Sequence, residues 1–434
     1  MSTSREGLAR TLGICLLGAL VEVVLLVATQ TRGSAQAAND FVGPGESIQK
    51  AVNAADPGDT IVVRGVHRED IIIPKNGIKL RGDDAVIEVP DRPKADSPWS
   101  RAFGPEAICV CGGDLNIETS EITGPRVSDV SVSGFTIRGL KDKDALGIDV
   151  TNARNTTVVA NRVVGMLGVN IGVAGSVDTT VAKNHLIGSP SPETDNDGIV
   201  VESSSRTTVV NNVLRSYPEG QFAIEAIDGS LDTTIAGNDL VGNWVGVLVD
   251  GAPATKILSN EMRRSGIAGT IVVGQKSANA KVVGNHISGG AWGIYVGDAK
   301  RGSIAGNTIR DNCAGMFFEA FPAQPVGDFE VKANTVEDNT RSCRAAQFDR
   351  NISGIGIALL GASGMEVKGN HLSGNVPSGP TAVSGGVVVS TDPFFGGTIK
   401  PTNNSVIGNR FGRNKPDIFW DESGSGNGCV RKVL

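Results

Sequence analysis

Apolar residues in this chain come in short runs rich in Val, Ile and Leu, separated by Gly, Asn, Asp and Ser, and only rarely at helical spacing. Runs of that kind, bounded by turn residues, predict short strands. The runs return in a fixed context: Ala160-Asn161-Arg162-Val163, Lys183-Asn184-His185-Leu186, Asn211-Asn212-Val213-Leu214, Gly237-Asn238-Asp239-Leu240 and Ser259-Asn260-Glu261-Met262. Further copies centre on Asn285, Asn307, Asn334, Asn370 and Asn409, and Gly134-Phe135-Thr136-Ile137 reads as an earlier copy with Gly in the Asn place. From Gly134 to Asn334 the intervals are 27, 23, 28, 26, 22, 25, 22 and 27 residues, and the last two widen to 36 and 39. A period of this size built from short strands predicts a stacked solenoid. A third strand of the form Gly-Ile-x-Val closes each unit, as in Gly147-Ile148-Asp149-Val150, Gly198-Ile199-Val200-Val201, Gly246-Val247-Leu248-Val249 and Gly293-Ile294-Tyr295-Val296. Asn tolerates left-handed backbone, and its amide can bond the Asn one coil away, so the repeated Asn is expected to form a structural ladder.

One helix is predicted near the start. Ser47 caps it, Ile48, Val52 and Ala55 share a face, and Asp56-Pro57-Gly58-Asp59 ends it. Strands are expected at Thr60–Val63, Ile71–Ile73, Ile78–Leu80 and Val86–Val89. A stack of parallel strands has an open end that invites aggregation, and this helix is a natural lid for it. The rhythm breaks at 89–125, 318–327, 339–353 and 376–384, which read as excursions over one face; they either build a site or merely cover apolar surface.

Composition agrees with a turn-rich β protein: 57 glycines, 4% aromatics and 20% charged residues. A solenoid grows by coils, so 434 residues need not mean several domains. The net charge of −6 and the lack of a basic tract argue against nucleic acid as a partner. Arg5 and Arg10, an apolar run from Leu12 to Ala28 and Ala35-Gln36-Ala37 predict a secretory leader over 1–37, with the exported chain over 38–434. Glu22 and the short run count against the alternative, a retained anchor. Outside the cytoplasm, Cys313 and Cys343, about one coil apart, suit a disulfide. Cys109-Val110-Cys111 is too tight for an easy mutual bond, so one of the pair is expected to reach Cys429. A zinc site would need four regularly spaced ligands, which the four histidines do not supply.

The opening Ser47-Ile48-Gln49-Lys50-Ala51-Val52-Asn53-Ala54-Ala55, continued by Asp56-Pro57-Gly58-Asp59-Thr60-Ile61-Val62-Val63 and then Asn-centred coils, resembles the right-handed parallel β-helix proteins of the pectin-lyase-like superfamily. The resemblance spans about residues 41–421. It implies an all-β rod of about 10–12 coils, three short strands per coil, with sugar polymers lying along one face. It does not imply one activity, since lyases, hydrolases, esterases, epimerases and binding proteins share the fold.

Read across the coils, the outward position of Gly-Ile-x-Val gives Asp149, Asn170, Val200, Glu225, Leu248, Val272, Tyr295, Phe317, Ala358 and Val388. The strand ends add Glu202, Asp228, Asp250 and Glu319, and the preceding turn adds Asp195 and Asp197. Crowded carboxylates suit Ca²⁺ or an acid–base pair. Asp195, Asp197, Glu202 and Asp228 are therefore the candidate metal ligands. Glu225 and Asp250, one coil apart, are the candidate catalytic pair, with Arg206 as a candidate base; Arg263 and Arg264 also lie on candidate coils. Asp149, Trp292, Tyr295 and Phe317 are the candidate substrate contacts, the rings offering flat surface to sugars. The competing reading is a solvated acidic face. His185, His286 and His371 fill a slot that elsewhere holds Arg, Val, Asp, Glu and Thr, so they read as surface positions, and His67 has no evident partner. The catalytic motifs of alginate epimerases, polygalacturonases and pectate lyases are absent. The sequence thus points to a secreted monomer that engages an extended polysaccharide, either as a Ca²⁺-assisted lyase or epimerase or as a non-catalytic binding or scaffold protein.

Overall fold

The computed structural model describes residues 39–92, 98–119, 121–140, 144–189, 196–217, 220–265, 269–345, 350–394 and 398–429. The expected leader and Asp195 lie outside them. Among the described residues no helix is long and apolar enough to cross a membrane.

Strands of the coils stack in parallel, each pairing with its counterpart one coil on, while Asp114–Asn116 with Glu121–Thr123 and Cys343–Ala345 with Arg350–Ile352 form antiparallel pairs in the excursions. A 25-stranded sheet holds the two strands on either side of the Asn corner, and a 13-stranded sheet takes the third strand of each coil, from Ile71–Ile72 to Ile418–Trp420. Thirteen rungs exceed the expected 10–12 because coils before the first Asn also pair. Inward positions carry Val, Ile and Leu from every coil, such as Val158, Val163, Ile171, Ile199, Ile224, Val247 and Ile294, all at 0% exposure. Each such side chain contributes roughly 1.5–3 kcal/mol by leaving water.

The Asn ladder runs without a break from Asn161 to Asn409. In every link Nδ2 donates to the next Oδ1 at 2.9–3.1 Å. The residue in left-handed backbone, however, is the one before each Asn, for example Ala160 (φ 55°), Lys183 (φ 55°) and Ser259 (φ 51°). The Asn tightens the corner, while its predecessor turns it. The earliest copy is also shifted by one: Arg162 pairs with Thr136, so Phe135 and not Gly134 stands in the Asn column, and its N–H donates to Asn161 Oδ1 at 3.1 Å.

Ile48–Ala54 is helical, with Ser47 Oγ accepting from the Lys50 N–H at 3.2 Å and Ile48, Val52 and Ala55 buried against the first coil. Glu69 accepts from the Ile48 N–H at 2.6 Å and binds this free helix end to the body. His67 does have partners: its ring nitrogens face the carbonyls of Glu46 (3.0 Å) and Arg64 (2.9 Å), which ties the helix approach to the strand Thr60–His67.

The Gly of Gly-Ile-x-Val marks where backbones nearly touch. A Cβ on Gly147 would lie 2.3 Å from Asn170 O, on Gly198 2.3 Å from Ala223 O and on Gly293 2.5 Å from Gly315 O. Two disulfides are formed. Cys313–Cys343 is as expected, but Cys109 and Cys111 bond each other and Cys429 is free, which corrects the expected Cys429 link. Cys429 lies in the last described strand, far along the rod from Cys109, while the two residues of Cys-x-Cys share one strand face with Cα atoms 5.4 Å apart.

Candidate functional site

The outer face of the 13-stranded sheet carries the expected column nearly as read. Paired residues run Cys109, Asp149, Gly172, Val200, Glu225, Leu248, Val272, Tyr295, Phe317, Ala358, Val388. Asn170 is the exception. Ile171 pairs with Ile148, which puts Gly172 in the column and leaves Asn170 at the strand entrance, fully buried and accepting from the Tyr217 hydroxyl. A second outward column, three residues earlier, includes Glu106, Leu146, Phe222, Val245, Trp292, Ala314 and Ile355. Strict alternation would put it inside, yet Trp292, Ala314 and Ile355 belong to the apolar cluster on the outer face. Stacking of Trp292 on Tyr295 at 5.4 Å shows that both columns face the same way.

The face has three parts. At its N-terminal end the first excursion lays Trp99 and Leu115 over Cys109 and Cys111. At its C-terminal end Ile352, Val383 and Phe394 cover Phe317, Ala358 and Val388. The first, third and fourth excursions therefore act as covers over the sheet, joined at the C-terminal end by Phe394. The second excursion starts later than expected, at Ala320, because Phe318 belongs to the strand Ala314–Glu319 and packs on Phe329 in the core. Between the covers Gly172, Val200, Leu248 and Val272 stay partly exposed.

Edging this open middle, Glu202, Asp250 and Asp228 occupy the ends of successive strands, and Glu225 lies in the central column. Glu202 is held above the ordinary carboxylate range, first by burial, then by the charge of Asp228 and of Asp149. Glu225 pairs with Leu248, two residues before Asp250, so the two backbones are about 8 Å apart by strand rise and spacing. Glu225 itself is 6% exposed, lying beneath the surface of the groove.

The structure separates the rest of the expected set. Asp197 sits at the opposite strand edge from Glu202, roughly 15 Å away, and accepts the Phe222 N–H at 2.7 Å, so it does not join Glu202 and Asp228. Arg206 is on a corner outside the face, forked onto Asp178 at 2.6 and 2.9 Å, and does not reach Glu225 or Asp250. Asp149 is buried beneath the first cover and accepts from Thr151 Oγ1 at 2.7 Å. Phe317 is 1% exposed. Trp292, Tyr295 and Phe317 stack on one another, at 5.4 to 6.3 Å, instead of presenting three open faces; of them Tyr295 alone stays partly exposed.

Two features escaped sequence reasoning. Trp244 is partly exposed at the entrance of the middle strands and meets Phe222 edge-on at 5.4 Å. Its position before Val245, in the turn, hid it from the column. The Tyr295 hydroxyl donates to Glu319 Oε2 at 3.0 Å. Burial, and then the charge of Asp392, raise the Glu319 carboxyl from 4.5 to about 8, so it carries a proton at neutral pH. Pairing of Gly297 with Glu319 two positions past the column could have revealed it only once register was known.

Arg263 and the histidines of the repeat lie on strands of the 25-stranded sheet, and Arg264 follows one of them. Arg263 binds Asp239 at 3.0 Å and, with Arg215, Arg264 and Asp311, lines a depression of about 500 Å³. His185, His286 and His371 share one exposed column, beside Arg162, Glu261 and Glu337, and do not converge.

Comparison with known proteins accords with this geometry. Residues 222–411 match the family model described as a right-handed beta helix region, and residues 133–252 match that of a periplasmic copper-binding protein, NosD. No curated protein sequence matches the chain. The A-module of a mannuronan C-5 epimerase from Azotobacter vinelandii is similar at TM-score 0.54 and 16% identity, over 88% of this chain and 94% of that one. A surface adhesin of Streptococcus pneumoniae is similar at TM-score 0.55 and 15% identity, over 88% and 85%. At such identities likeness speaks for the fold alone: the chain is a right-handed parallel β-helix of the pectin-lyase-like fold.

Proposed function

We propose that this protein acts outside the cytoplasm and binds an extended polysaccharide in the open middle of the 13-stranded sheet. The observation that carries the reading is the gap between the two covers. An apolar floor of Val200, Leu248 and Val272 is edged there by Glu202, Asp228 and Asp250 and overlooked by Trp244. A flat strip with carboxylates along it fits a chain of sugars, whose rings bring apolar faces and hydroxyl edges. The two disulfides support an oxidising location. The similar structure from Azotobacter vinelandii is, by its name, an epimerase of mannuronan.

A calcium ion here would rest on Glu202 and Asp228 at the edge and not on the whole predicted set. Glu202 and Asp228 crowd their charges, and a hard cation beside them would offset that repulsion and neutralise a uronate. Retention of the protein in gels cast with uronate and neutral polymers tests the reading. Glu202→Gln with Asp250→Asn should weaken retention about tenfold, or ~1.4 kcal/mol, and chelator should do the same for a uronate polymer. Unchanged retention in the double variant would remove this face from consideration.

One observation favours catalysis over binding alone: the protonated Glu319 beside the partly exposed Tyr295, a carboxyl able to give a proton. Ultraviolet absorbance of an unsaturated product, or a changed uronate epimer ratio, that disappears in Glu319→Gln would establish turnover. Retention with neither signal would leave a binding or scaffold protein.

A further inference from the structure

The N-terminal end of the face contains a second kind of chemistry. Glu106, Cys109, Cys111 and Asp149 each bring one ligand atom to a place where all four lie within 4.8 Å of one another. The local sequence builds this directly. Cys109 and Cys111 are two apart on the strand Glu106–Cys111 and so share its outer face. Asp149 is paired with Cys109 one coil on. Glu106 joins them from three residues earlier on the same strand, in the column that also faces outward at Trp292. Cys111 Sγ is 3.8 Å from Asp149 Oδ2, and Thr151 Oγ1 holds that same oxygen at 2.7 Å.

All four side chains are buried, under Trp99 and Leu115. Glu106 is 3% exposed, and its Oε1 has no hydrogen-bond partner. Its acidic neighbours Asp149 and Asp70 add negative charge to this buried place. A buried carboxylate oxygen without a donor normally costs about 1–3 kcal/mol or more. A cation would supply the missing partner and the missing charge together.

We propose that Glu106, Cys109, Cys111 and Asp149 form a binding site for one thiophilic divalent ion of the zinc type, closed by the Cys109–Cys111 disulfide and opened by its reduction. Two sulfurs and two carboxylate oxygens make a four-ligand set suited to a tetrahedral ion. Thr151 acts as the outer support that orients one ligand. In the oxidised chain the sulfurs are spent on each other. A dithiol reductant gives two electrons and two protons to the bond and closes to its own disulfide. The two thiol protons then leave as the ion binds both sulfurs. The site lies beneath the first cover, apart from the open middle, so it stands independently of polysaccharide binding.

Cobalt titration of the full chain tests this, before and after reduction with a phosphine, which does not compete for the ion. The reduced chain should take one equivalent of Co²⁺ with thiolate-to-cobalt absorption, zinc should displace it, and the oxidised chain should show none. Cys109→Ser and Cys111→Ser should each abolish the band, and Cys429→Ser should leave it. Glu106→Gln keeps both thiols and should weaken binding at least about tenfold, which gives a reading even where a cysteine variant fails to fold. The proposal is overturned if the reduced chain binds no cobalt, if the oxidised chain binds equally, or if the band survives in Cys109→Ser or Cys111→Ser. Survival would assign the ion to Cys313, Cys343 or Cys429.

Discussion

A buried amide must find partners for two donors and an acceptor, and Asn260 finds all of them in neighbouring coils. Its Nδ2 donates to Ile235 O at 3.0 Å and to Asn285 Oδ1 at 2.9 Å, while its Oδ1 accepts from both the N–H and the Nδ2 of Asn238. Buried polar groups satisfied this fully specify one register, which is why the same residue returns in each coil. Glu319 shows the opposite residue-scale logic, a carboxyl kept neutral by its surroundings. Its folded value of about 8 lies above the ordinary 4.5, so the folded chain holds a proton that the unfolded chain has lost between those values. Its contribution to stability is therefore complete below pH about 4.5 and declines as pH rises to about 8. Urea unfolding at a series of pH values should show that decline, and Glu319→Gln should flatten it. An equal slope in the variant would assign the decline to other groups.

At the scale of the element, the strand entrance is the tightest place in each coil. Gly293 has Gly315 O 2.5 Å and Ile309 Cγ2 2.6 Å from where a Cβ would stand. Backbone of the next coil cannot yield without breaking the pairing of Trp292–Gly297 with Ala314–Glu319. Gly293→Ala should thus cost about 2 kcal/mol or more, seen as a lower urea midpoint and loss of the Trp292 environment in near-ultraviolet circular dichroism. A neutral result would mean that the coils can part there. A second Asn ladder, Asn312–Asn339–Asn375–Asn414, closes the other corner over the last coils at 2.8–3.0 Å. It begins where the excursions lengthen, and so holds the third strands in line although the chain between them is longer.

For the whole molecule, the governing problem is an open end. Phe41 is 56% exposed on the first strand Asn39–Val42, and the helix Ile48–Ala54 covers the apolar end of the coil beside it. Removing residues 39–56 would expose Ile61, Val63, Ile71 and Ile73, all within 1% of full burial. Unpaired parallel strands with that surface join end to end. The shortened chain should therefore elute as large species in size-exclusion chromatography, where the intact chain remains a single small one. A monodisperse shortened chain would show that the cap is dispensable. The same scale sets the candidate site, since its open middle exists only because covers lie over both ends of one long sheet.

The repeat by itself determined the fold: the Asn spacing, the Gly-Ile-x-Val strand and the Ser47 cap each specify local geometry through nearest neighbours, and a solenoid is little more than nearest neighbours. It also placed the outward column, except where the irregular segment around Asn170 broke the count by two. The site was legible only in part. Glu225, Asp250, Glu202 and Asp228 were found on one face, but nothing in their spacing told that Glu225 is covered, that Arg206 is forked onto Asp178, or that Asp197 belongs to the other edge. Trp244, the Tyr295–Glu319 hydrogen bond and the Glu106–Asp149 cluster became visible only in three dimensions. The reason is physical: along a strand, alternation fixes the direction of a side chain, whereas exposure and partners depend on loops that arrive from distant coils with no periodicity of their own.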